Sequence, residues 1–175
     1  MPHSAHTPAP SPPEPVRRAG ELWILRPGPP EERSALVRAF AAMPLSSLLC
    51  APGGDTEHAA AAFATSGLEP VRSAVLRPRE RDESLEDCGA RAWPLLQEAL
   101  AQHARSLAIL ELDVLRGVLA CALAMAPGRA HVLRVDPGCL ALLRGDARAP
   151  HLRRLNVAAP EEWSGTPLPA PLSAP

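Results

Sequence analysis

Leu22–Gly28 reads Leu-Trp-Ile-Leu-Arg-Pro-Gly, and it is the first stretch in which the chain stops being proline-rich. A short apolar run, then a charge, then Pro-Gly describes a core strand that ends in a tight turn. Open α/β sheets place their ligand sites at the carboxyl ends of such strands, which is where Arg26 falls.

The chain beyond this strand alternates between short apolar runs and helical patterns. Pro29-Pro30-Glu31-Glu32 suits a helix start, since proline is tolerated in the first turn and acids favour the positive dipole end. Leu36, Val37, Phe40 and Met43 then follow the helical period. Ser47–Cys50 reads as a second strand, ended by Ala51-Pro52-Gly53-Gly54. Asp55 is the expected N-cap of an alanine-rich helix running to about Ser66-Gly67, with His58 where a capping box has Glu or Gln. Val71–Leu76 is a third expected strand, and Arg77–Glu86 a solvated, densely charged loop. Ala92–Ala104 is expected to be helical, with Pro94 in its first turn. Leu107–Leu112 reads as a fourth strand and Leu115–Met125 as an apolar helix. His131–Val135, Cys139–Arg144 and His151–Asn156 close the pattern as strands. The alternation predicts an α/β fold, a mainly parallel central sheet with helices on both faces. Leu22–Leu25 and Leu107–Leu112 are expected as adjacent parallel central strands.

Residues 1–20 and 159–175 are Pro/Ala-rich and cannot bury a core, so one domain is expected over 21–158 between disordered tails. Hydrophobic residues make up 46% of the 175, enough for a core, yet aromatics are only 3%, so that core must be Leu, Val and Ala. There is no Lys and no Tyr, which with the Ala and Pro excess reads as the drift of a GC-rich bacterial genome. The formal net charge of −1 gives no electrostatic case for nucleic acid or an anionic membrane. No apolar run approaches the ~20 residues of a membrane span. The N-terminus lacks a basic region and an apolar one, so no signal peptide is read and a cytoplasmic protein is expected. Cys50, Cys88, Cys121 and Cys139 form no Cys-x-x-Cys pair, and neither a metal site nor a cofactor is expected.

The order of these elements resembles the histidine phosphatase superfamily, whose phosphoglycerate-mutase-like fold is a three-layer sandwich. That family's first strand ends Arg-His-Gly, where this chain has Arg26-Pro27-Gly28. Its next strand ends Ser-Ser-Pro before an Arg and an alanine-rich helix, where this chain has Cys50-Ala51-Pro52, Asp55 and Ala59–Ala64. A later strand ends Ser-His-Gly-Gly before Val-Ile-Arg, where Leu110-Glu111-Leu112-Asp113 precedes Val114-Leu115-Arg116. The family's Leu-Asn pair is matched by Leu155-Asn156.

The resemblance implies a site in which one histidine attacks phosphorus, two arginines and a second histidine hold the phosphate oxygens, and a carboxylate donates a proton. Carried onto this chain, the nucleophile position is Pro27, the second histidine is Glu111 and the second arginine is Asp55. Glu80 aligns ambiguously with the acid, and only Arg26 keeps the family residue. The segment between Gly28 and the first helix is also shorter than usual. Such a site works by positioning a nucleophile and stabilising negative charge. Two unit charges ~4 Å apart interact by ~4 kcal/mol at an effective dielectric of about 20, so replacing cations by carboxylates turns attraction into repulsion at that scale.

Arg26 with Glu111 or Asp55 is most simply a structural ion pair in a former pocket. A cation on Asp55, Glu80, Glu111 and Asp113 is a weaker reading. Cys50 as a substitute nucleophile lacks the downstream arginine of a phosphate loop, since Thr56 falls there. The favoured function is a catalytically inactive histidine-phosphatase-like protein kept as a binding or regulatory module. An enzyme of the same fold with altered chemistry and a decayed paralogue without a selected role remain alternatives. A protein partner is compatible with the first reading, and the oligomeric state is open.

Overall fold

The computed structural model describes residues 20–41, 43–64 and 67–158. Residues 1–19 and 159–175 lie outside the described residues, as does Ser66 of the expected helix stop, while Gly20, expected in the first tail, opens β1. The elements are β1 (Gly20–Leu25), α1 (Pro30–Ala41), β2 (Ser47–Cys50), α2 (Gly54–Phe63), β3 (Val71–Arg72), α3 (Leu85–Gln102), β4 (Arg105–Ile109), α4 (Leu112–Ala122), β5 (Leu140–Asp146) and β6 (Ala149–Val157). They form a six-stranded sheet in the order β3-β2-β4-β1-β5-β6. The first four strands in that order run parallel, while β5 and β6 form an antiparallel hairpin against β1.

Every residue of β1 is buried, because the strand is covered on both faces. Leu22 and Ile24 point into one core with Cys88, Ala92, Leu96 and Leu100 of α3 and Val114, Leu115 and Val118 of α4. Trp23 and Leu25 point into a second core with Leu36 and Phe40 of α1 and Ala59, Ala60 and Phe63 of α2. Two edge-on aromatic contacts, Trp23–Phe40 and Phe40–Phe63, each with ring centroids 5.8 Å apart, tie the second layer together. At the amino end of β1, Glu21 receives Arg105 of β4 at 2.9 Å and Arg144 of β5 at 3.7 Å. One carboxylate therefore joins three neighbouring strands in register. The adjacent parallel pairing of β1 with Leu107–Ile109 agrees with expectation.

The structure moves several boundaries. The third strand is two residues long, and Ala74–Leu76 turns as a 3-10 helix after Ser73 N–H donates to the Cys50 carbonyl at 3.0 Å. The helix expected to start at Ala92 starts at Leu85. Ser84 caps it, its hydroxyl accepting the Asp87 N–H at 3.0 Å. Pro94 consequently lies inside α3, not in its first turn. Proline cannot donate to the carbonyl four residues back. Here that carbonyl belongs to Ala90, and both Ala90 and Pro94 are exposed, so water can take the place of the lost bond. β4 stops at Ile109 and α4 begins at Leu112, earlier than the apolar pattern suggested. His131–Val135 is not a strand: Ala130–Val132 forms a 3-10 turn and the chain then crosses the end of the sheet as a loop.

No helix among the described residues is long and apolar enough to cross a membrane. α3 and α4 cross at two glycines. A methyl placed on Gly117 would lie 2.7 Å from the Gly89 nitrogen, and one on Gly89 would lie 2.8 Å from the Gly117 Cα. These are backbone atoms, which cannot move aside without separating the helices. Gly117→Ala should therefore cost stability by about 1–3 kcal/mol despite its gain in helix propensity. Urea denaturation checks this, and an unchanged midpoint would contradict the crossing.

Candidate functional site

The residues that the resemblance assigns to a site fall at the carboxyl ends of β1 and β4 and at the start of α2. Arg26 follows the last residue of β1. Its backbone N–H donates to the Cys139 carbonyl at 3.1 Å, and its own carbonyl accepts the Gly138 N–H at 3.0 Å. Its guanidinium Nη1 donates to the Val135 carbonyl at 2.6 Å. Main chain and side chain of one residue are thus fastened to the same loop, 133–139. That loop is held from two further sides. Arg116 of α4 donates to the Leu133 carbonyl at 2.8 Å. Asn156 of β6 accepts the Asp136 N–H at 2.6 Å and donates its amide to the Asp136 carboxylate at 2.7 Å. Asn156 makes both bonds from a left-handed conformation, φ 59°, which asparagine tolerates better than most residues. Asp136-Pro137-Gly138, with Gly138 also left-handed, supplies the turn.

Pro27 is half-buried directly after Arg26, and the Gly28 carbonyl accepts the Arg33 side chain at 2.9 Å, closing the short segment before α1. Glu111 sits at the N-cap position of α4 and makes no side-chain cap bond. Burial pushes its carboxyl above the usual glutamate range. The charge of Asp55 adds to that push and Arg26 opposes it. Asp55 and Arg26 thus both act on the Glu111 charge. They are not the expected ion pair: no contact within 4.0 Å joins Arg26 to either carboxylate, and its guanidinium turns to a backbone carbonyl.

Asp55 is also not the cap of α2. Gly53 and Gly54, at φ 77° and 66°, lead the chain into the helix, so Asp55 lies within its first turn. Glu57 instead accepts the Gly53 N–H at 2.5 Å, and the same carboxylate pairs with Arg72 of β3 at 2.5 Å. The Arg72 bond holds the Glu57 carboxyl below its ordinary range. His58 turns back to the Gly54 carbonyl, at 3.3 Å, and does not complete a capping box. Cys50 lies near this clasp at the end of β2, but burial raises its thiol pKa, which works against a thiolate.

Glu80 does not join the other three. Its carboxylate pairs with Arg77 at 3.0 Å. The expected solvated loop is an ordered charged knot centred on Glu83. Arg91 of α3 grips Glu83 through two nitrogens at 2.7 and 2.9 Å, and also donates to the Val75 and Arg77 carbonyls. Arg79 donates to the Glu83 carbonyl at 2.7 Å and to Asp113 of α4 at 2.8 Å. Arg116 lies 3.9 Å from the same Asp113. Asp55, Glu80, Glu111 and Asp113 are thus divided between two surroundings, Asp55 and Glu111 acting on one another near Arg26 and Glu80 and Asp113 paired with Arg77 and Arg79. Among the described residues no group of three or more His, Cys, Asp or Glu gathers in a way that could hold a metal ion. Arg116 and Asp136 were missed as site-shaping residues. The turn-forming Asp-Pro-Gly and the Leu155-Asn156 pair were the available signals.

Residues 35–158 match the model of the histidine phosphatase superfamily (branch 1). No curated protein matches the chain in sequence. Among solved structures, a mycobacterial glucosyl-3-phosphoglycerate phosphatase is similar with a TM-score of 0.69 at 15% identity, over 79% of this chain and 99% of its own. The alpha-ribazole phosphatase from Shigella flexneri gives 0.66 at 17% identity, over 79% and 97%. The mycobacterial phosphatase has also been solved with inorganic phosphate and with VO3, at TM-scores of 0.67 and 0.68, 14% and 15% identity, and coverage of 80% and 98% and of 78% and 98%.

The knot has a pH signature. Hydrogen bonding from Arg91 lowers the Glu83 carboxyl from 4.5 to about 2. A carboxyl with a depressed folded pKa is ionised in the fold while the unfolded chain still binds the proton. Its stabilisation is complete above pH 4.5 and is lost as pH falls from there towards 2. The thermal midpoint should fall through that window, and Glu83→Gln should lower it at pH 7 while flattening its acid dependence. An acid limb as steep in Glu83→Gln as in the parent would assign it to other carboxylates.

Proposed function

The chain belongs to the histidine phosphatase superfamily, and within it we propose that it is a catalytically inactive member retained as a binding or regulatory module. One observation carries the reading: Arg26, the only site residue that matches the family motif, gives its guanidinium to the Val135 carbonyl at 2.6 Å. That bond occupies one of the guanidinium's five N–H donors, so the fork it offers an anion is incomplete. A phosphate at Arg26 would also meet Glu111 and Asp55, whose charges oppose an anion. Each unfavourable charge at ~4 Å and an effective dielectric of about 20 corresponds to ~4 kcal/mol, roughly a thousandfold in binding. Pro27 offers no nucleophilic atom, and its neighbour Gly28 is tied to Arg33. Glu57 already accepts the Gly53 N–H at the start of α2, where an anion could otherwise sit.

The test is hydrolysis of p-nitrophenyl phosphate, with phosphate and vanadate binding followed by calorimetry. The expected outcome is no turnover above the buffer rate and no saturable binding at millimolar anion. Pro27→His alone should stay inactive, because site residues that act as a unit are strongly non-additive. Pro27→His with Asp55→Arg and Glu111→His is the smallest change expected to recover a trace. Turnover by the unmodified protein that Arg26→Ala abolishes would overturn this reading and leave an enzyme of altered chemistry.

A further inference from the structure

Three parallel strands end together. Leu25 of β1 and Cys50 of β2 both pair with Ile109 of β4, and the Leu110 N–H donates to the Leu25 carbonyl at 3.0 Å. Arg26 therefore follows β1 at the level where Leu110 and Glu111 follow β4, and Asp55 lies in the first turn of α2, the helix that follows β2. Two groups at this end of the sheet are left with unused bonding capacity. Glu111 is half-buried, and no hydrogen bond or ion pair holds its carboxyl among the described residues. Arg26 gives one of its five N–H donors to the Val135 carbonyl, and no other described group accepts from its side chain.

The charged groups that act on Glu111 are Asp55 and Arg26. Those on the surrounding elements are engaged elsewhere. Asp113 of α4 is paired with Arg79 and lies 3.9 Å from Arg116. On α3, Arg91 holds Glu83 and Glu86 accepts the Gly128 N–H. Arg33 of α1 donates to the Gly28 carbonyl, His58 of α2 turns to the Gly54 carbonyl, and Asp136 is bound by Asn156. Burial favours the protonated form of Glu111, Asp55 adds to that preference and Arg26 opposes it.

The two states of Glu111 act oppositely on an anion. Ionised, it repels one placed at Arg26. Protonated, it carries no charge and offers an O–H donor. Asp55 keeps opposing an anion in both states, but it is exposed, so water and salt screen its charge more than that of half-buried Glu111. We infer that this end of the sheet is a proton-gated site for a small tetrahedral oxyanion, which binds between the Glu111 O–H and the remaining N–H donors of Arg26 once Glu111 has taken up a proton from solvent. The inference rests on the reading of the crevice as a site that binds without turnover, and it names what regulates that binding.

Sulfate is the probe, because its own charge does not change between pH 8 and pH 5. That window also lies above 4.5, where the Glu83 knot keeps its full stabilisation. Titrated into the full chain at constant ionic strength and followed by amide chemical shifts, sulfate should bind at least tenfold more tightly at pH 5 than at pH 8, where it should not saturate. The shifts should centre on Arg26 and Glu111. By reciprocity, sulfate should move the carbon-13 titration of the Glu111 carboxyl to higher pH. Glu111→Gln, uncharged throughout, should bind at pH 8 as the parent does at pH 5. Affinity that ignores pH, the same pH dependence in Glu111→Gln, which would assign the proton to a group such as His58, or no binding at pH 5 with millimolar sulfate would each overturn the inference. The parent titrations decide it even where the variant does not fold. Hydrolysis of p-nitrophenyl phosphate at pH 5 would instead overturn the absence of turnover and leave the gate standing.

Discussion

Burial of β1 on both faces constrains everything around it. A strand covered on both sides can carry polar groups only where it enters and leaves the sheet. In this chain those places are Glu21 and Arg26. Glu21 satisfies its charge with arginines from the two flanking strands. Arg26 has no such partner within ion-pair distance and uses the loop 133–139. One end of β1 therefore holds the sheet together and the other holds the loop that crosses its end. The crevice where the fold places ligands and the fastening of that loop depend on the same residue.

This coupling gives the surroundings of Arg26 a physical coherence. Glu111 and Asp55 oppose one another near a cation that is already bonded elsewhere. The loop 133–139 is secured by Arg26, Arg116 and Asn156, which come from three different elements. An arrangement fixed from three sides does not require an anion to stay in place. The charged knot around Glu83 does for the segment before α3 what those three residues do for the loop.

Patterns that repeat within a few residues were legible in the sequence, and partnerships across the chain were not. β1 was readable because four consecutive apolar residues end in Arg-Pro-Gly, and its parallel neighbour because Leu107–Ile109 has the same character. Pro94 was misplaced because propensity argues against proline inside a helix, whereas an exposed position lets water satisfy the orphaned Ala90 carbonyl. Asp55 had the composition of a cap, yet two left-handed glycines shifted the helix start and gave the capping part to Glu57. Arg77–Glu86 looked solvated because its organising partners, Arg91 and Asp113, lie on α3 and α4. The donor–acceptor pair of Arg26 and Val135 could not be read at all, since 109 positions separate them and a backbone carbonyl has no sequence signature.

The same separations set the order in which the molecule can be made. β1 is the first described element to leave the ribosome, yet Arg105, to which Glu21 is bonded, follows 84 positions later. At synthesis rates of about 5–20 residues per second, β1 waits roughly 4–17 s for its parallel neighbour and longer for the hairpin. Through that interval Leu-Trp-Ile-Leu has neither of its flanking strands, while α1, β2 and α2 can bury only its Trp23 and Leu25 face. The strand that organises the finished fold waits longest for its flanking strands during synthesis, so the nascent chain is exposed to misassociation at its own centre.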